Sequence, residues 1–202
     1  MANILYLVHR LPYPPNKGDK VRSYNLLKHL AGRHRVYLGT FIDDPDDERH
    51  IPTVRALCAD VHIARLDPRL ARILSLGSLL SGEALTLGYY RSSALRDWVN
   101  DTCQRRHIDS AVIFSSAMAQ YLDEQPRIPT IIDFVDVDSA KWTQYAPRHR
   151  WPLSWLYRRE GSLLLKYERR MAARASRSFF ATDNEVALFA QKAPECRVRL
   201  DT

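Results

Sequence analysis

The chain has 202 residues with a formal net charge of +7, and 46% of them are hydrophobic. This length and apolar content suffice for a packed core, and they exclude disordered and collagen-like classes. The longest uncharged apolar stretches, residues 73–82 and 84–90, fall short of the roughly 20 residues that span a membrane. The N-terminus also lacks the pattern of a signal peptide, so a cytoplasmic location is expected.

The predicted elements alternate between strands and helices along the chain. Short apolar runs predict strands over residues 4–8, 35–41, 61–66, 110–114, 130–135, 178–181 and 197–200. Apolar residues at helical spacing predict helices over residues 19–31, with Asp19 as the N-cap, and near residues 51–58, 69–80, 94–106, 117–123, 153–175 and 185–191. Because no hairpin signal joins adjacent strands, we expect an α/β fold with a Rossmann-like parallel sheet flanked by helices.

In such folds ligands bind beyond the carboxyl ends of the strands, and the loop after the first strand is rich in cations there. It contains His9, Arg10, Lys17, Gly18, Asp19, Lys20 and Arg22. These cations beside a helix N-terminus predict a site for a phosphate or another anion. The alternative is a proline-stiffened turn in which Gly18 has a positive φ and Asp19 only caps the helix. Neither a dinucleotide fingerprint nor a P-loop is present.

Three carboxylates, Asp133, Asp136 and Asp138, follow one another where the strand over residues 130–135 ends. Carboxylates in this position can bind a metal, act as a base or accept hydrogen bonds from substrate hydroxyls. Asp136 and Asp138 also form a D-x-D pattern. In the structural alternative, Asp138 or Ser139 caps the next turn and Asp133 pairs with a basic neighbour.

Hydroxyl side chains follow two other predicted strands. Ser115 and Ser116 come after the fourth strand, where a helix cap is favoured over a ligand contact. Thr182 and Glu185 match the S/T-x-x-E capping box, which is mainly a structural signal. The helix that they begin nevertheless points its N-terminus at the same sheet edge.

The positive charge is concentrated in one segment. Residues 141–180 contain ten lysines and arginines and two acidic residues. The rest of the chain contains 20 lysines and arginines and 21 acidic residues. Aromatic residues around Trp151 and Trp155 adjoin this basic helix, which suits an anionic membrane surface. A surface helix with a buried apolar stripe explains the pattern equally well, and no nucleic-acid module accompanies it.

Three stretches together resemble a known family: HRLPYPPNKGDKVRSYNLLKHLAGRHRVYLGTFIDD, DFVDVDSAKWTQYA and YERRMAARASRSFFATDNEVALF. They resemble the N-terminal half of family-four retaining glycosyltransferases of the GT-B class, with two Rossmann-like domains. The nearest in character are bacterial sugar transferases associated with exopolysaccharide and exosortase systems. The resemblance implies an acceptor-side domain that helps to move a sugar from a nucleotide-sugar donor to a lipid-linked or polysaccharide acceptor at the cytoplasmic membrane face.

The resemblance also implies roles for the strand-end residues. Asp136 and Asp138 are the expected catalytic residues, and the expected substrate-binding residues are His9, Arg10, Lys17, Gly18, Asp19, Arg22, Ser115, Ser139 and Thr182. The nucleotide-sugar is a co-substrate, and no further cofactor and no resident metal are expected. Many relatives have a histidine after the fourth or fifth strand, where this chain has Ser115 and Ser116 or Asp136 and Asp138.

The resemblance sets an expectation for domain organisation as well. In the family, a strand like that over residues 196–200 leads into an interdomain hinge, and this chain ends at Thr202. We therefore expect residues 1–202 to be the N-terminal domain, inactive alone, with the donor-binding domain absent. Two other hypotheses remain: a metal-dependent nucleotide-sugar enzyme that uses Asp136 and Asp138, and a non-catalytic basic module that binds membranes.

Overall fold

A parallel sheet forms the centre of the structure, a computed structural model that describes residues 1–125 and 127–202. In the described chain its seven strands are β1 (Asn3–Val8), β2 (Arg35–Ile42), β3 (Asp60–Arg65), β4 (Ser110–Phe114), β5 (Thr130–Val135), β6 (Arg177–Phe180) and β7 (Leu200–Asp201). Their order in space is β3-β2-β1-β4-β5-β6-β7. The direction of winding reverses between β1 and β4, as in doubly wound Rossmann-like sheets. The predicted α/β fold class is confirmed.

Helices connect the strands and cover both faces of the sheet. The α-helices of the described residues are α1 (Gly18–Ala31), α2 (Ile51–Arg55), α3 (Pro68–Ser75), α4 (Ser78–Ser81), α5 (Leu85–Tyr89), α6 (Ser93–Arg105), α7 (Asp138–Tyr145), α8 (Leu153–Arg174) and α9 (Asp183–Lys192). Four 3₁₀ segments, Pro45–His50, Ser116–Leu122, Ala146–Arg148 and Pro194–Arg199, complete the connections.

Several predicted elements differ from the observed ones. The helix predicted near residues 69–80 is two short helices, α3 and α4, and the one at residues 117–123 is a 3₁₀ segment. The strand expected over residues 197–200 begins only at Leu200, because a 3₁₀ segment precedes it. Helices α5 and α7 were not predicted at all. Asp19 lies in the first turn of α1, and the N-cap is Lys17, whose side chain makes no capping bond.

The alternation of β1 explains how the sheet is covered on both sides. Leu5 and Leu7 pack into one core cluster with residues of α6 and α8. Tyr6 and Val8 pack into a second cluster with residues of α1 and α2. Since every residue from Ile4 to Val8 is buried, β1 is the central strand that its continuous apolar run predicts.

Helix α8 packs closely against α7 because a glycine lies at the contact. A Cβ atom built on Gly161 would be 2.5 Å from Thr143 Oγ1 and 3.0 Å from the Ser139 carbonyl oxygen. Two glutamates of the same helix, Glu160 and Glu168, are fully buried. Helix α8 therefore supplies buried carboxylates to its neighbours as well as apolar packing.

None of the helices in the described residues is long and apolar enough to cross a bilayer.

Candidate functional site

A cleft of about 590 Å³ opens beyond the carboxyl ends of β1 and β4, where the winding of the sheet reverses. The register places Val8 beside Phe114, so β1 and β4 end at one level, while β2 continues two residues beyond Thr40, the partner of Val8. The cleft is lined by His9, Arg72, Ser75, Leu76, Leu85, Thr86, Tyr89, Tyr90, Ser115, Asp138 and Trp142. This is the position at which open α/β sheets bind ligands.

The far wall of the cleft comes from the connection between β3 and β4. Glu160 of α8 accepts hydrogen bonds from the backbone N–H groups of Leu85 and Thr86, at 2.6 and 2.9 Å, and so caps the N-terminus of α5. At the C-terminal end of α5, the Tyr121 hydroxyl donates to the Tyr90 carbonyl oxygen. These two contacts fix the wall that carries Tyr89 and Tyr90.

His9 is held at the base of the cleft by two aromatic rings and a carboxylate. Its ring stacks on Phe114 at a centroid distance of 6.0 Å and meets Tyr90 edge-on at 5.9 Å. Its Nε2 lies 3.5 Å from Asp19 Oδ2, while Nδ1 is buried and has no hydrogen-bond partner in the described residues. When Nε2 carries the proton toward Asp19, Nδ1 is left as an unpaired acceptor, which a ligand hydroxyl reaches only after the surrounding side chains move.

The carboxylate of Asp19 is strongly favoured in its charged form. The hydrogen bond from His9 lowers the pKa of Asp19 most, and the charges of His9 and Arg10 and the Lys20 N–H lower it further. Asp19 therefore remains an acceptor that orients the His9 ring at neutral pH. An oriented histidine beside a cleft can act as a general base for a hydroxyl.

The cations of the first loop are largely neutralised by carboxylates from other strands. Arg10 makes a forked contact with Asp43, with Nη2 to Oδ2 at 2.8 Å, and it also contacts Asp19 at 3.3 Å. Lys20 pairs with Asp47 at 2.6 Å, with both side chains buried. The crowding of cations seen in the sequence is therefore balanced by nearby acids in the fold.

Arg22 points across the sheet edge rather than into open solvent. Its Nε donates to Asp133 Oδ2 at 2.7 Å and its Nη2 to the Phe180 carbonyl oxygen at 3.2 Å. The expected pairing of Asp133 with a basic neighbour is thus observed. Burial raises the pKa of Asp133 even though Arg22 opposes that shift.

Lys17 and Gly18 remain accessible at the start of α1. Both are exposed, and in the described residues Lys17 forms no ion pair. A Cβ atom at Gly18 would meet nothing within 4 Å, and its φ is not positive. The turn therefore does not require glycine, contrary to the structural alternative, and the surface above it is open to a ligand.

Asp136 and Asp138 lie together after β5 and share one cation. Lys141 Nζ donates to Asp136 Oδ2 at 2.7 Å and to Asp138 Oδ1 at 3.1 Å. Burial opposes the charge on Lys141, but the bonds to the two aspartates outweigh it and raise the pKa of the ammonium group. Of the two carboxylates, Asp138 lines the cleft.

The loop that carries these aspartates is held by two glutamates from later helices. Glu185 accepts from the Val137 N–H at 2.6 Å. Glu168 accepts from the Ser139 N–H at 3.2 Å and from its hydroxyl at 2.5 Å. Neither Asp138 nor Ser139 caps α7 with its own side chain, so the expected local cap is replaced by remote carboxylates.

Two predicted substrate-binding residues are used for structure. The Ser139 hydroxyl is buried and bound to Glu168. Thr182 caps α9 by accepting from the Glu185 N–H at 3.3 Å, which confirms the threonine half of the predicted capping box. The predicted role of Glu185 in the capping box is wrong, because its carboxylate accepts a hydrogen bond from the Val137 N–H.

Backbone strain is concentrated where β4 and β5 end. Ser115 has φ 76° and Val135 has φ 67°, and in the described residues these are the non-glycine residues with positive φ. Such conformations cost about 1–3 kcal/mol each and are frequent at ligand sites. The strain at Ser115 lies in the cleft lining, and its side chain makes no capping bond. The cap favoured from sequence is therefore absent there.

Sequence reasoning missed most of the apolar and aromatic lining of the cleft. Thr86, Tyr89 and Tyr90 belong to the stretch at residues 84–90, and Arg72 and Leu76 lie just before it. A paired Tyr-Tyr at the end of a short uncharged run was the available signal.

In the described part of the chain, no group of three or more His, Cys, Asp or Glu side chains is arranged to hold a metal ion. Lys141 already occupies the space between the two carboxylates of the D-x-D pattern.

No protein-family model matches the sequence, and no curated protein matches it either. Among solved structures, the chain is similar to the N-terminal domain of trehalose-6-phosphate phosphatase from Candida albicans, with a TM-score of 0.53, 14% identity and coverage of 96% of this chain and 43% of that one. It is also similar to Phytolacca americana UGT2 complexed with UDP-2-fluoro-glucose and pterostilbene, with a TM-score of 0.49, 11% identity and coverage of 89% and 48%. The chain spans less than half the length of either protein. At these identities, the first likeness establishes a shared fold and nothing more.

Proposed function

We propose that this chain is the acceptor-binding domain of a GT-B glycosyltransferase, which moves a sugar from a nucleotide-sugar donor to a lipid-linked or polysaccharide acceptor. The observation that supports this proposal best is the cleft at the β1/β4 switch point, with its combination of aromatic rings and hydrogen-bonding groups. The resemblance of the three sequence stretches to family-four enzymes supports the same class. It also supports retention of anomeric configuration and a role in exopolysaccharide synthesis.

The lining of the cleft suits a saccharide. Tyr89, Tyr90 and Trp142 provide ring faces for the C–H surfaces of a sugar, while His9 and Asp138 offer acceptors for its hydroxyls. In transfer, the acceptor oxygen bonds the anomeric carbon on the face that the nucleoside diphosphate leaves, which retains the configuration, and the hydroxyl proton passes to the departing phosphate oxygen. His9 and Asp138 would position that hydroxyl, and Asp136 would act through the Lys141 contact that holds both aspartates.

The donor phosphates are assigned mainly to a second domain. Because Arg10, Lys20 and Arg22 are engaged with carboxylates, only Lys17, Gly18 and the N-terminus of α1 remain in this loop to approach a diphosphate. A second Rossmann-like half encoded after Thr202 would complete the enzyme. The downstream reading frame tests this part of the proposal directly.

Saccharide binding by the 202-residue chain tests the cleft. We expect a panel of mono- and oligosaccharides to give saturation-transfer NMR signals, and Tyr89→Ala to weaken them about tenfold. Tyr24→Ala is the matched control, since Tyr24 is also half-buried but packs on Tyr13 at α1. Thermal melts of both variants establish that they remain folded.

Three results would contradict the proposal in different parts. Absence of saccharide signals at millimolar ligand would remove the acceptor role. Equal losses in the Tyr89 and Tyr24 variants would remove the cleft as the site. Sugar transfer from a nucleotide-sugar by this chain alone would remove the requirement for a second domain.

A metal-dependent enzyme using Asp136 and Asp138 is the second candidate class, and no contact favours it. Lys141 would have to be displaced before a divalent cation could reach both carboxylates. Calorimetric titration with Mn²⁺ tests the metal-dependent alternative. Mn²⁺ binding that becomes stronger in Lys141→Ala would support it.

A further inference from the structure

The segment that contains α3 and α4, residues 68–81, exposes several large aliphatic side chains. Half or more of the surface of each is accessible: Leu70 53%, Ile73 65%, Leu74 65%, Leu76 50% and Leu80 94%. Leu70, Ile73 and Leu74 are three and four residues apart in α3, which places them on one face of that helix. Patches of this kind on soluble domains mark interaction sites.

A second apolar surface lies at the connection between α7 and α8. Its exposed members are Tyr145 46%, Trp151 80%, Leu153 45% and Trp155 52%. Tryptophan is enriched where a protein meets the boundary between lipid tails and headgroups, because its ring is apolar and its N–H is polar. This surface therefore has the composition of an interfacial anchor.

The two surfaces are adjacent and border the same cleft. Arg159 of α8 donates to the carbonyl oxygens of Ser78 and Glu83, at 2.9 and 3.1 Å, and so joins α8 to the end of the α3–α4 segment. Leu76 of this segment and Trp142 of α7 both line the cleft. A flat partner that covered both surfaces would lie at the mouth of the cleft.

Both segments carry positive charge, although Asp67, Glu83 and Glu160 flank them. Residues 68–82 and 145–159 contain six arginines and no carboxylate. Arg148, Arg150 and Arg158 are exposed and form no ion pair within the described residues. An anionic partner surface is the complement of this arrangement.

The arginines farther along the basic helix are paired. Arg169 pairs with Glu195, and Arg170 and Arg174 pair with Asp123. The apolar stripe beside them is core, since Leu164 and Met171 are buried. Of the membrane surface expected along residues 150–174, the first turns of α8 and the exposed Lys166 keep unpaired cations in the described chain, while the α3–α4 segment adds a part that the sequence did not indicate.

We propose that the α3–α4 segment and the α7–α8 connection together bind an anionic lipid bilayer. The aliphatic and tryptophan side chains enter the interface, the arginines contact acidic headgroups, and the cleft opens at the membrane surface. The proposal deepens the proposed function by naming the partner surface of its acceptor site, and it rests on that function only for the lipid-linked acceptor.

Vesicle binding by the full 202-residue chain tests the proposal. The probes are phosphatidylcholine vesicles with and without about 30 mol% phosphatidylglycerol. We expect binding only to the anionic vesicles at low salt. The double variant Ile73→Gln/Leu80→Gln should bind about tenfold more weakly or worse. Its matched control is Val21→Gln, which changes an exposed aliphatic residue on α1 and should leave binding unchanged.

The arginines and tryptophans are tested separately. Arg148→Gln/Arg150→Gln should weaken binding roughly 30-fold at low salt, at about fivefold per charge, whereas Arg33→Gln/Arg55→Gln should change it much less. Brominated lipids should quench tryptophan fluorescence, and Trp151→Phe/Trp155→Phe should abolish that quenching. The tryptophan variant is a spectroscopic probe that keeps an aromatic ring at both positions.

Several outcomes would overturn the proposal. The proposal is wrong if anionic vesicles fail to bind the chain, or if the Ile73/Leu80 variant binds them as well as the control does. If the same variant abolishes a dimer seen by light scattering without affecting vesicle binding, the occupant of the patch is a second copy of the chain. Failure of saccharide binding with intact vesicle binding would instead refute the proposed function and leave the docking surface standing.

Discussion

Replacing Glu168 by glutamine tests how the loop carrying Asp136 and Asp138 is held. Glu168 is fully buried and accepts two hydrogen bonds from Ser139, and it forms no ion pair with a cation in the described chain. Burial raises the pKa of Glu168 from 4.5 to about 8, although the Ser139 bonds oppose the shift. The folded protein therefore holds a proton on this group at neutral pH.

The sign of the effect follows from the order in which the two states lose that proton. Below pH 4.5 the carboxyl is protonated in both states, so its pKa shift costs no stability. Between pH 4.5 and about 8 the unfolded chain has released the proton and the folded chain has not, so stability falls by about 1.4 kcal/mol per pH unit. By pH 7 the loss amounts to about 3 kcal/mol.

Glu168→Gln removes this titration and keeps the shape of the side chain. Its carbonyl oxygen can accept from the Ser139 N–H, and its amide can donate to the Ser139 hydroxyl, which then acts as acceptor. We expect the variant to equal wild type near pH 5 to within about 1 kcal/mol and to exceed it by about 3 kcal/mol at pH 7. Urea unfolding at half-unit steps from pH 5 to 8 measures this difference.

Comparing the two proteins also removes the contributions of other groups. The pKa of Asp133 is raised by burial and that of His62 is lowered by burial, but both remain in the variant. Ser139→Ala is the second control: it keeps the titrating carboxyl, so its stability should still fall with pH. A difference between wild type and Glu168→Gln that stays flat from pH 5 to 8 would refute the argument from burial.

Two further predictions concern packing and a buried ion pair. Gly161→Ala places a Cβ 2.5 Å from Thr143 Oγ1 and should cost about 1–3 kcal/mol, whereas Gly18→Ala, which meets nothing within 4 Å, should be neutral in the same thermal melts. Lys20→Met or Asp47→Asn alone leaves one buried charge of the pair without its partner and should cost about 3–5 kcal/mol. The double variant should cost less than either single one, and a double-mutant cycle with additive losses would show that the pair is not coupled.

The strands were predictable because their signal is local. The run of apolar residues in β1 is buried on both faces, and β5 and β6 follow the same logic with bounds close to those expected. The parallel arrangement followed from the alternation of strands with helices, since parallel neighbours need a crossover. What the sequence could not give was the exact extent of the last strand, where a 3₁₀ segment intervenes.

Helices α5 and α7 escaped prediction for a specific physical reason. Neither has a side-chain cap of its own at the N-terminus. The free N–H groups of α5 are bonded by Glu160, 74 to 75 residues away, and those at the start of α7 by Glu168 and Glu185. A local search for capping residues cannot find helices whose caps are supplied by tertiary contacts.

The difference between local signals and tertiary contacts also explains why the site predicted from sequence was more positively charged than the observed one. The position of the cleft was predictable, because a sheet that winds both ways leaves a crevice where the order reverses. The charge of the cleft was not predictable from sequence, because the acidic residues that pair with Arg10, Lys20 and Arg22 lie 33, 27 and 111 residues away along the chain. With those pairs formed, the first loop no longer presents a cluster of free cations. Under the proposed function, the aromatic rings and hydrogen-bonding groups of the cleft, more than the cations of the first loop, would contact the ligand, and this lining suits a neutral sugar better than a phosphate.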